Sequence, residues 1–151
     1  MPLFESPGFS GDENEFPYHL LTFGVLSNRG GSGSYSPLLQ EMFGYYRRLY
    51  WDSWAELNPH TAHNHHINEG DWITITSEVG SITTRAMFNE AMEPSAVAVP
   101  FGMGHTSGGR YAEGVGVNPY EILVEVTDPH WGKPAKAATR VKIQKARRRV
   151  G

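Results

Sequence analysis

Apolar residues recur along this chain with two periods, dividing it into a polar lead-in, a strand–helix segment and a strand-rich body. Residues 18–23, Tyr-His-Leu-Leu-Thr-Phe, are rich in aromatic and branched side chains and predict a strand. At Ser36-Pro37 the period changes. A small polar residue followed by proline marks an N-cap and a first helical position. Leu38, Leu39, Met42, Tyr45, Tyr46 and Leu49 follow at helical spacing, predicting a helix to about residue 49 that packs into the core. Asn58-Pro59 repeats the cap signal and predicts a short helix to about residue 66. Beyond the turn residues Asn68-Glu69-Gly70-Asp71, residues 72–77 and 81–88 alternate around Glu78-Val79-Gly80 and predict a β-hairpin. Residues 96–101, 121–126 and 139–143 predict further strands, and Trp51 to Trp54 are read as packing a lid over them. Strand, helix, short helix and then four or five strands, with glycine and proline between them, favour a helix-decorated β-barrel over an alternating α/β sheet.

Two segments break the periodic pattern with glycine. Residues 27–34, Ser-Asn-Arg-Gly-Gly-Ser-Gly-Ser, follow the first strand and lead into the first helix. A strand, a glycine loop and a helix start gather backbone N–H groups into a concavity that suits a phosphate, with Arg29 available as a charged contact. On composition alone a flexible surface loop is the more ordinary reading, because the segment fits no standard phosphate-loop motif. Residues 102–118 contain six glycines together with His105, Thr106, Ser107, Arg110 and Asn118. His105 has the chemistry of an acid/base or of a hydrogen-bond donor, though a lone histidine also serves structure.

Composition narrows the function classes. The 151 residues are 39% hydrophobic and 19% charged, the balance of an ordinary globular chain large enough for one core. There is no cysteine, which removes disulfides, thiol nucleophiles and Cys-ligated zinc or iron–sulfur sites from this chain. No apolar run approaches the ~20 residues that span a bilayer, and the acidic first 16 residues are unlike a secretory signal. The compartment stays open. Net charge is −3, yet eight of thirteen Lys and Arg residues lie between 133 and 149, which asks for a partner or an anionic ligand near that end. His60, His63, His65 and His66 cluster, but no second distant pair completes a zinc site. The basic run at residues 145–149 reads as a solvated end or a subunit contact rather than a nucleic-acid site, because the body is acidic and carries no recognition motif. No Ser/His/Asp or paired-carboxylate set supports a stand-alone hydrolase.

Glu56-Leu57-Asn58-Pro59, Ala62 and residues 67–73 resemble a known pattern, which continues through Ser77-Glu78-Val79-Gly80-Ser81-Ile82 and, after Pro94, residues 97–102. The closing stretch, Gly132-Lys133-Pro134-Ala135 to Arg140-Val141-Lys142-Ile143, matches as well. In order and spacing these resemble the C-terminal molybdopterin-dinucleotide-binding domain of the dimethyl-sulfoxide-reductase family of molybdopterin oxidoreductases. The resemblance implies a mainly β fold with helices, the double-psi β-barrel of formate dehydrogenase and dimethyl-sulfoxide reductase, over residues 16–145. Residues 1–15 would be a flexible lead-in and residues 146–151 a basic tail. Residues 101–105, 109–112 and 116–119 are most similar to respiratory members of the polysulfide-reductase-like branch, which includes menaquinone reductase.

The same resemblance implies a bis-molybdopterin guanine dinucleotide cofactor, carrying molybdenum or tungsten and shared with a partner domain. Thr22, Gly24, Asn28, Arg29, Gly31, Ser32 and Ser34 would hold the dinucleotide from the first loop, and His105, Asn118 and Lys133 would approach it from the second loop and the closing segment. No residue here is read as catalytic or as a metal ligand. The chain would position the cofactor for an oxidoreductase whose larger catalytic chain and iron–sulfur subunit supply the metal ligand and the electron-transport path. The alternative is a cofactor-free structural subunit of a respiratory electron-transfer complex that retains the barrel.

Overall fold

A computed structural model describes residues 8–128, 131–135 and 137–147. Six strands, β1 (Tyr18–Gly24), β2 (Trp54–Leu57), β3 (Trp72–Thr76), β4 (Ser81–Phe88), β5 (Ala96–Phe101) and β6 (Arg140–Lys145), close into one barrel in the order β1-β5-β2-β4-β3-β6. The pairs β1–β5 and β2–β4 are parallel and the other neighbours antiparallel. Two short helices, α1 (Pro37–Phe43) and α2 (Pro59–Asn64), decorate the barrel, which has the mainly β class expected.

Alternating side chains fill the interior. Leu20, Leu57, Ile73, Ile75, Val97, Val99, Val141 and Ile143 are buried together, with Ile67 and Ile122 closing over them. Burial of each such side chain contributes about 1.5–3 kcal/mol, which makes this cluster the main source of barrel stability. A second cluster, Phe43, Trp54, Met87 and Met103, lies under α1 and the loop after β5.

Strand β2 has no counterpart in the sequence reading. Its four residues, Trp-Ala-Glu-Leu, are buried on both faces, between β4 and β5, so they show no alternation to find. Trp54 is accordingly a core residue of a strand, packed edge-on against Phe43 and Phe23, whereas Trp51 donates to the Glu41 carboxylate from the surface.

Two further expectations are corrected. The helix from Pro37 stops at Phe43 rather than near residue 49, because Gly44 and Leu49 form an antiparallel bridge that folds the chain back. A Cβ at residue 44 would collide with the Leu49 carbonyl, so glycine is required at this close approach. Nor does α1 bury its apolar stripe: Gln40 and Phe43 point inward, while Leu38 and Met42 are exposed. Residues 121–126 are not a strand either. Asn118 accepts from the Tyr120 N–H and Pro119 takes the first position of a 3-10 turn, Pro119–Ile122, after which Val124 N–H donates to the Thr139 hydroxyl. The same Asn-Pro signal at residues 58–59 produced a helix, and it does so here in miniature.

At α2 the Asn58 side chain accepts from His60 N–H (2.9 Å) and donates to the Met92 carbonyl (2.8 Å). Asn58→Ala should therefore cost about 1–2 kcal/mol, read as a shift in the urea midpoint at unchanged m-value. Residues 8–15, the described part of the expected lead-in, lie against β6. Ser10 bridges Thr139, Glu13 and Glu15 pair with Arg140 and Lys142, and Phe9 packs on His19. The arginines of the basic tail at positions 148 and 149 lie outside the described residues.

Candidate functional site

Pairing between β1 and β5 sets the geometry of the site. The two strands run parallel with Gly24 opposite Phe101, so the glycine-rich segments that follow each of them leave the same end of the barrel side by side. Crevices beyond the carboxyl ends of adjacent parallel strands are common ligand sites, because neither loop crosses the other.

A buried polar knot ties the two loops together. Asn28, only 1% exposed, donates to the Gly102 carbonyl (2.7 Å) and the Ser34 hydroxyl (2.9 Å) and accepts from Gly33 N–H (2.9 Å). The Ser34 hydroxyl also donates to the Gly102 carbonyl. Behind it, the buried Gln40 amide donates to the Ser34 and Tyr111 carbonyls, both at 2.9 Å. Three side chains thus connect the start of α1, the first loop and the second.

In front of the knot lies an open cleft made of two adjoining cavities of about 630 and 340 Å³, which share Gly104, His105, Thr106, Asn118 and Glu121 as walls. This is the size of site that takes a cofactor-like ligand. Gly30 and Gly31 form one wall, and Ser81 and Thr83 of the β3–β4 hairpin another. Gly30 and Gly114, both at positive φ, have open space where a Cβ would stand. Gly104 is a different case. A Cβ there would strike the Asn118 backbone nitrogen, so this glycine sets the position of Asn118. His105 Nε2 lies 3.3 Å from the Gly102 carbonyl and its ring packs on Tyr35. Asn118 uses its side-chain oxygen to hold Tyr120 N–H at 3.1 Å, which leaves its amide hydrogens as the donors it offers. The Tyr120 ring stacks on Phe101 at 5.6 Å and closes the cleft's inner edge.

Of the residues singled out in the sequence, the structure brings Gly31, His105 and Asn118 into the cleft. Asn28 and Ser34 sit behind it, in the knot. Gly24 borders a separate apolar cavity of about 360 Å³ with Phe23, Phe43 and Trp54. Thr22 lies within β1 opposite Val99, and Arg29 and Ser32 are exposed on the first loop. Lys133 is exposed on the closing segment, where its carbonyl accepts from Asp128 N–H, and does not line the cleft. The sequence reading missed Glu113, Glu121, Gly30 and the hairpin residues Ser81 and Thr83. The Asn118-Pro119 cap was the available signal for Glu121, since it predicts a turn where a strand was expected. Among the described residues, no group of three His, Asp or Glu side chains is placed to hold a metal ion.

A closed mixed barrel whose two glycine-rich loops form a cleft beyond a parallel strand pair defines a ligand-binding module. Residues 35–140 match the family described as "Molydopterin dinucleotide binding domain". The chain is 31% identical over 160 residues to the arsenate respiratory reductase molybdopterin-containing subunit of Chrysiogenes arsenatis, covering 97% of this chain and 18% of that protein. It is 36% identical over 121 residues to the corresponding subunit of a Shewanella species, covering 79% of this chain and 14% of that protein. A menaquinone reductase molybdopterin-binding-like subunit of Nitratidesulfovibrio vulgaris is 28% identical over 95 residues, covering 63% of this chain and 14% of that one. The fold is shared with acetylene hydratase from Pelobacter acetylenicus, at a TM-score of 0.71 and 21% identity over 89% of this chain and 19% of that chain. The chain belongs to the molybdopterin-dinucleotide-binding domain family, and it spans less than a fifth of the length of these relatives.

Proposed function

We propose that this chain is the molybdopterin-guanine-dinucleotide-binding module of a molybdenum or tungsten oxidoreductase, holding a bis-pterin cofactor jointly with a partner domain. The observation that carries the reading is the cleft between the loops that follow β1 and β5, formed in a member of this family. Its groups suit such a ligand. The open positions at Gly30 and Gly114 admit close backbone approach, and Ser81, Thr83 and Thr106 add hydroxyls. Glu113 and Glu121 are acceptors for the amino and ring N–H groups that pterin and guanine both present on a 2-amino-4-oxo pyrimidine edge. Asn118 offers amide donors, His105 a ring nitrogen, and Gly31 its backbone. Thr22, Gly24 and Ser32 support the loop that meets the dinucleotide. Arg29 and Lys133 are the exposed cations that would turn toward its phosphates. Asn28 and Ser34 act in this reading by positioning, since their polar atoms are engaged within the chain.

The redox change belongs to the metal–dithiolene unit when it is bound, and this chain's residues bind, orient and shield that unit. The metal ligand, any iron–sulfur cluster and the electron path would come from a larger catalytic chain and an iron–sulfur subunit. Similarity to arsenate respiratory reductases and to a menaquinone reductase subunit supports a respiratory reductase. It favours that broad class over the narrower polysulfide-reductase-like assignment.

Metal and nucleotide analysis of the freshly isolated, active assembly tests the reading: molybdenum or tungsten and acid-released guanosine nucleotide should both be present. An active assembly with neither would instead make the chain a cofactor-free structural subunit. Asn118→Asp sharpens the test. The substitution keeps the acceptor for Tyr120 N–H but removes the amide donors, so the barrel should melt unchanged while cofactor retention falls about tenfold, the worth of one good hydrogen bond.

A further inference from the structure

The first helix turns its apolar side away from the barrel. Leu38 and Met42, four residues apart on α1, are 69% and 49% exposed, and Tyr45 just beyond the helix is 64% exposed. Leu26, on the loop that packs against α1, is 93% exposed. Leucine and methionine at helical spacing on the outer face are not accounted for by the barrel, which takes only Gln40 and Phe43 from this helix. A run of exposed apolar side chains on a globular chain marks a surface that another surface covers. A recess adjoins the run: the 360 Å³ cavity bordered by Leu26, Phe23, Phe43 and Trp54, with the Arg47–Glu56 ion pair on its wall, has room for an inserted side chain.

We infer that this face, Leu26, Leu38 and Met42 with the recess beside them, is where the barrel docks on the remaining catalytic portion of the molybdopterin protein. Two observations select that occupant over a second copy of this chain. The relatives are more than five times as long as the stretch matched here, so most of each lies beyond this module. The face is continuous with the cleft: α1 is tied to the second loop through Gln40 and the Tyr111 carbonyl, and Tyr35, at the start of the helix, packs on His105. A surface that closes over the cleft therefore reaches α1 as well. The occupant's chemistry follows from the face itself: an apolar surface for Leu26, Leu38 and Met42, with one side chain able to enter a recess whose wall carries the paired Arg47 and Glu56. This inference rests on the cofactor-module reading for the identity of the occupant.

Hydroxyl-radical footprinting of the intact assembly tests it without a variant. With each residue normalised to its labelling in the unfolded chain, Leu26, Leu38 and Met42 should be labelled roughly fivefold less than Val79 and Trp131, as expected for side chains inside an interface. In the structure Val79 and Trp131 are 57% and 80% exposed. Labelling of the three at the level of these two overturns the inference. Because the chain has no cysteine, Leu38→Cys carries a photo-crosslinker at a thiol that is unique within it. Adducts to residues of the catalytic portion support the inference, and adducts to a second copy of this chain overturn it. Metal and guanosine nucleotide measured on the same sample separate the two readings. Protection without cofactor leaves docking standing and removes the cofactor reading, and cofactor without protection does the reverse.

Discussion

Asn28→Ala should lower stability by about 3 kcal/mol, because it removes three hydrogen bonds at once and strands buried partners. The Asn28 amide donates to the Gly102 carbonyl and the Ser34 hydroxyl, and its oxygen accepts from Gly33 N–H, all at a position that water reaches little. Alanine leaves Gly33 N–H without its acceptor and the Gly102 carbonyl with the Ser34 hydroxyl in place of two donors. For a domain of this size each kcal/mol moves the melting temperature by about 2–4 °C, so a fall of about 6–12 °C is expected by calorimetry. Asn28→Asp separates the parts: it keeps the acceptor for Gly33 N–H but turns a second oxygen toward the Gly102 carbonyl, and should be no more stable than Asn28→Ala. Ser34→Ala, which loses only its own hydroxyl bonds, should cost about 1 kcal/mol. Loosened loops should also retain less cofactor, so Asn28 variants should lose metal and nucleotide together. A stable Asn28→Ala protein with full cofactor content would show that the knot is dispensable.

Arg47→Met should cost about 2–3 kcal/mol, somewhat less than the breaking of a fully buried ion pair, because both partners keep some contact with water. Arg47 lies 2.7 Å from the Glu56 carboxylate and also donates to the Phe88 carbonyl. Burial pushes the Glu56 carboxyl up, but hydrogen bonds from Asn89, Trp54 and Arg47, together with the Arg47 charge, outweigh it and hold the group below its ordinary 4.5. The unfolded chain therefore takes up this proton first as pH falls. The stability contributed by Glu56 is full above about pH 4.5 and drains as pH drops through the lower folded value. Without Arg47 the burial effect is less opposed, the folded value moves up, and the acid transition of the variant should begin at higher pH than that of the wild type. His19, held below its ordinary 6.5 by burial and by Arg140, adds a loss of the same sign below that pH in both proteins, so the difference between them isolates Glu56. Urea unfolding of both proteins at about pH 7 and about pH 4 checks it. A variant whose stability deficit is the same at both pH values would contradict the assignment.

Much of the fold is legible in local sequence. The β3–β4 hairpin follows from alternation around Glu78-Val79-Gly80, and α2 from Asn58-Pro59, because each signal and its consequence lie within a few residues. The glycine-rich segments were legible as loops for the same reason. Strand β2 was not, since a strand covered on both faces carries no alternation. Inside the cleft, Gly31, His105 and Asn118 were visible as candidates, but Glu113 and Glu121 were not, because nothing near them in the chain says which way a loop carboxylate will face.

By itself, then, the sequence determined where β1, β3, β4, β5 and β6 fall, where α1 begins, and which two segments must be glycine-rich loops. These depend on side-chain period, on capping chemistry and on backbone freedom, all properties of neighbours along the chain. The resemblance carried by ordered motifs from Glu56 to Ile143 pointed to the family. Only the tertiary structure decided that the two loops stand side by side, because that depends on parallel pairing of β1 with β5, strands more than seventy residues apart. It alone turned Asn28 from a candidate ligand contact into the buried tie between those loops. It also reversed the apolar side of α1, since a helical stripe shows which residues share a face but not whether that face meets the barrel or another surface.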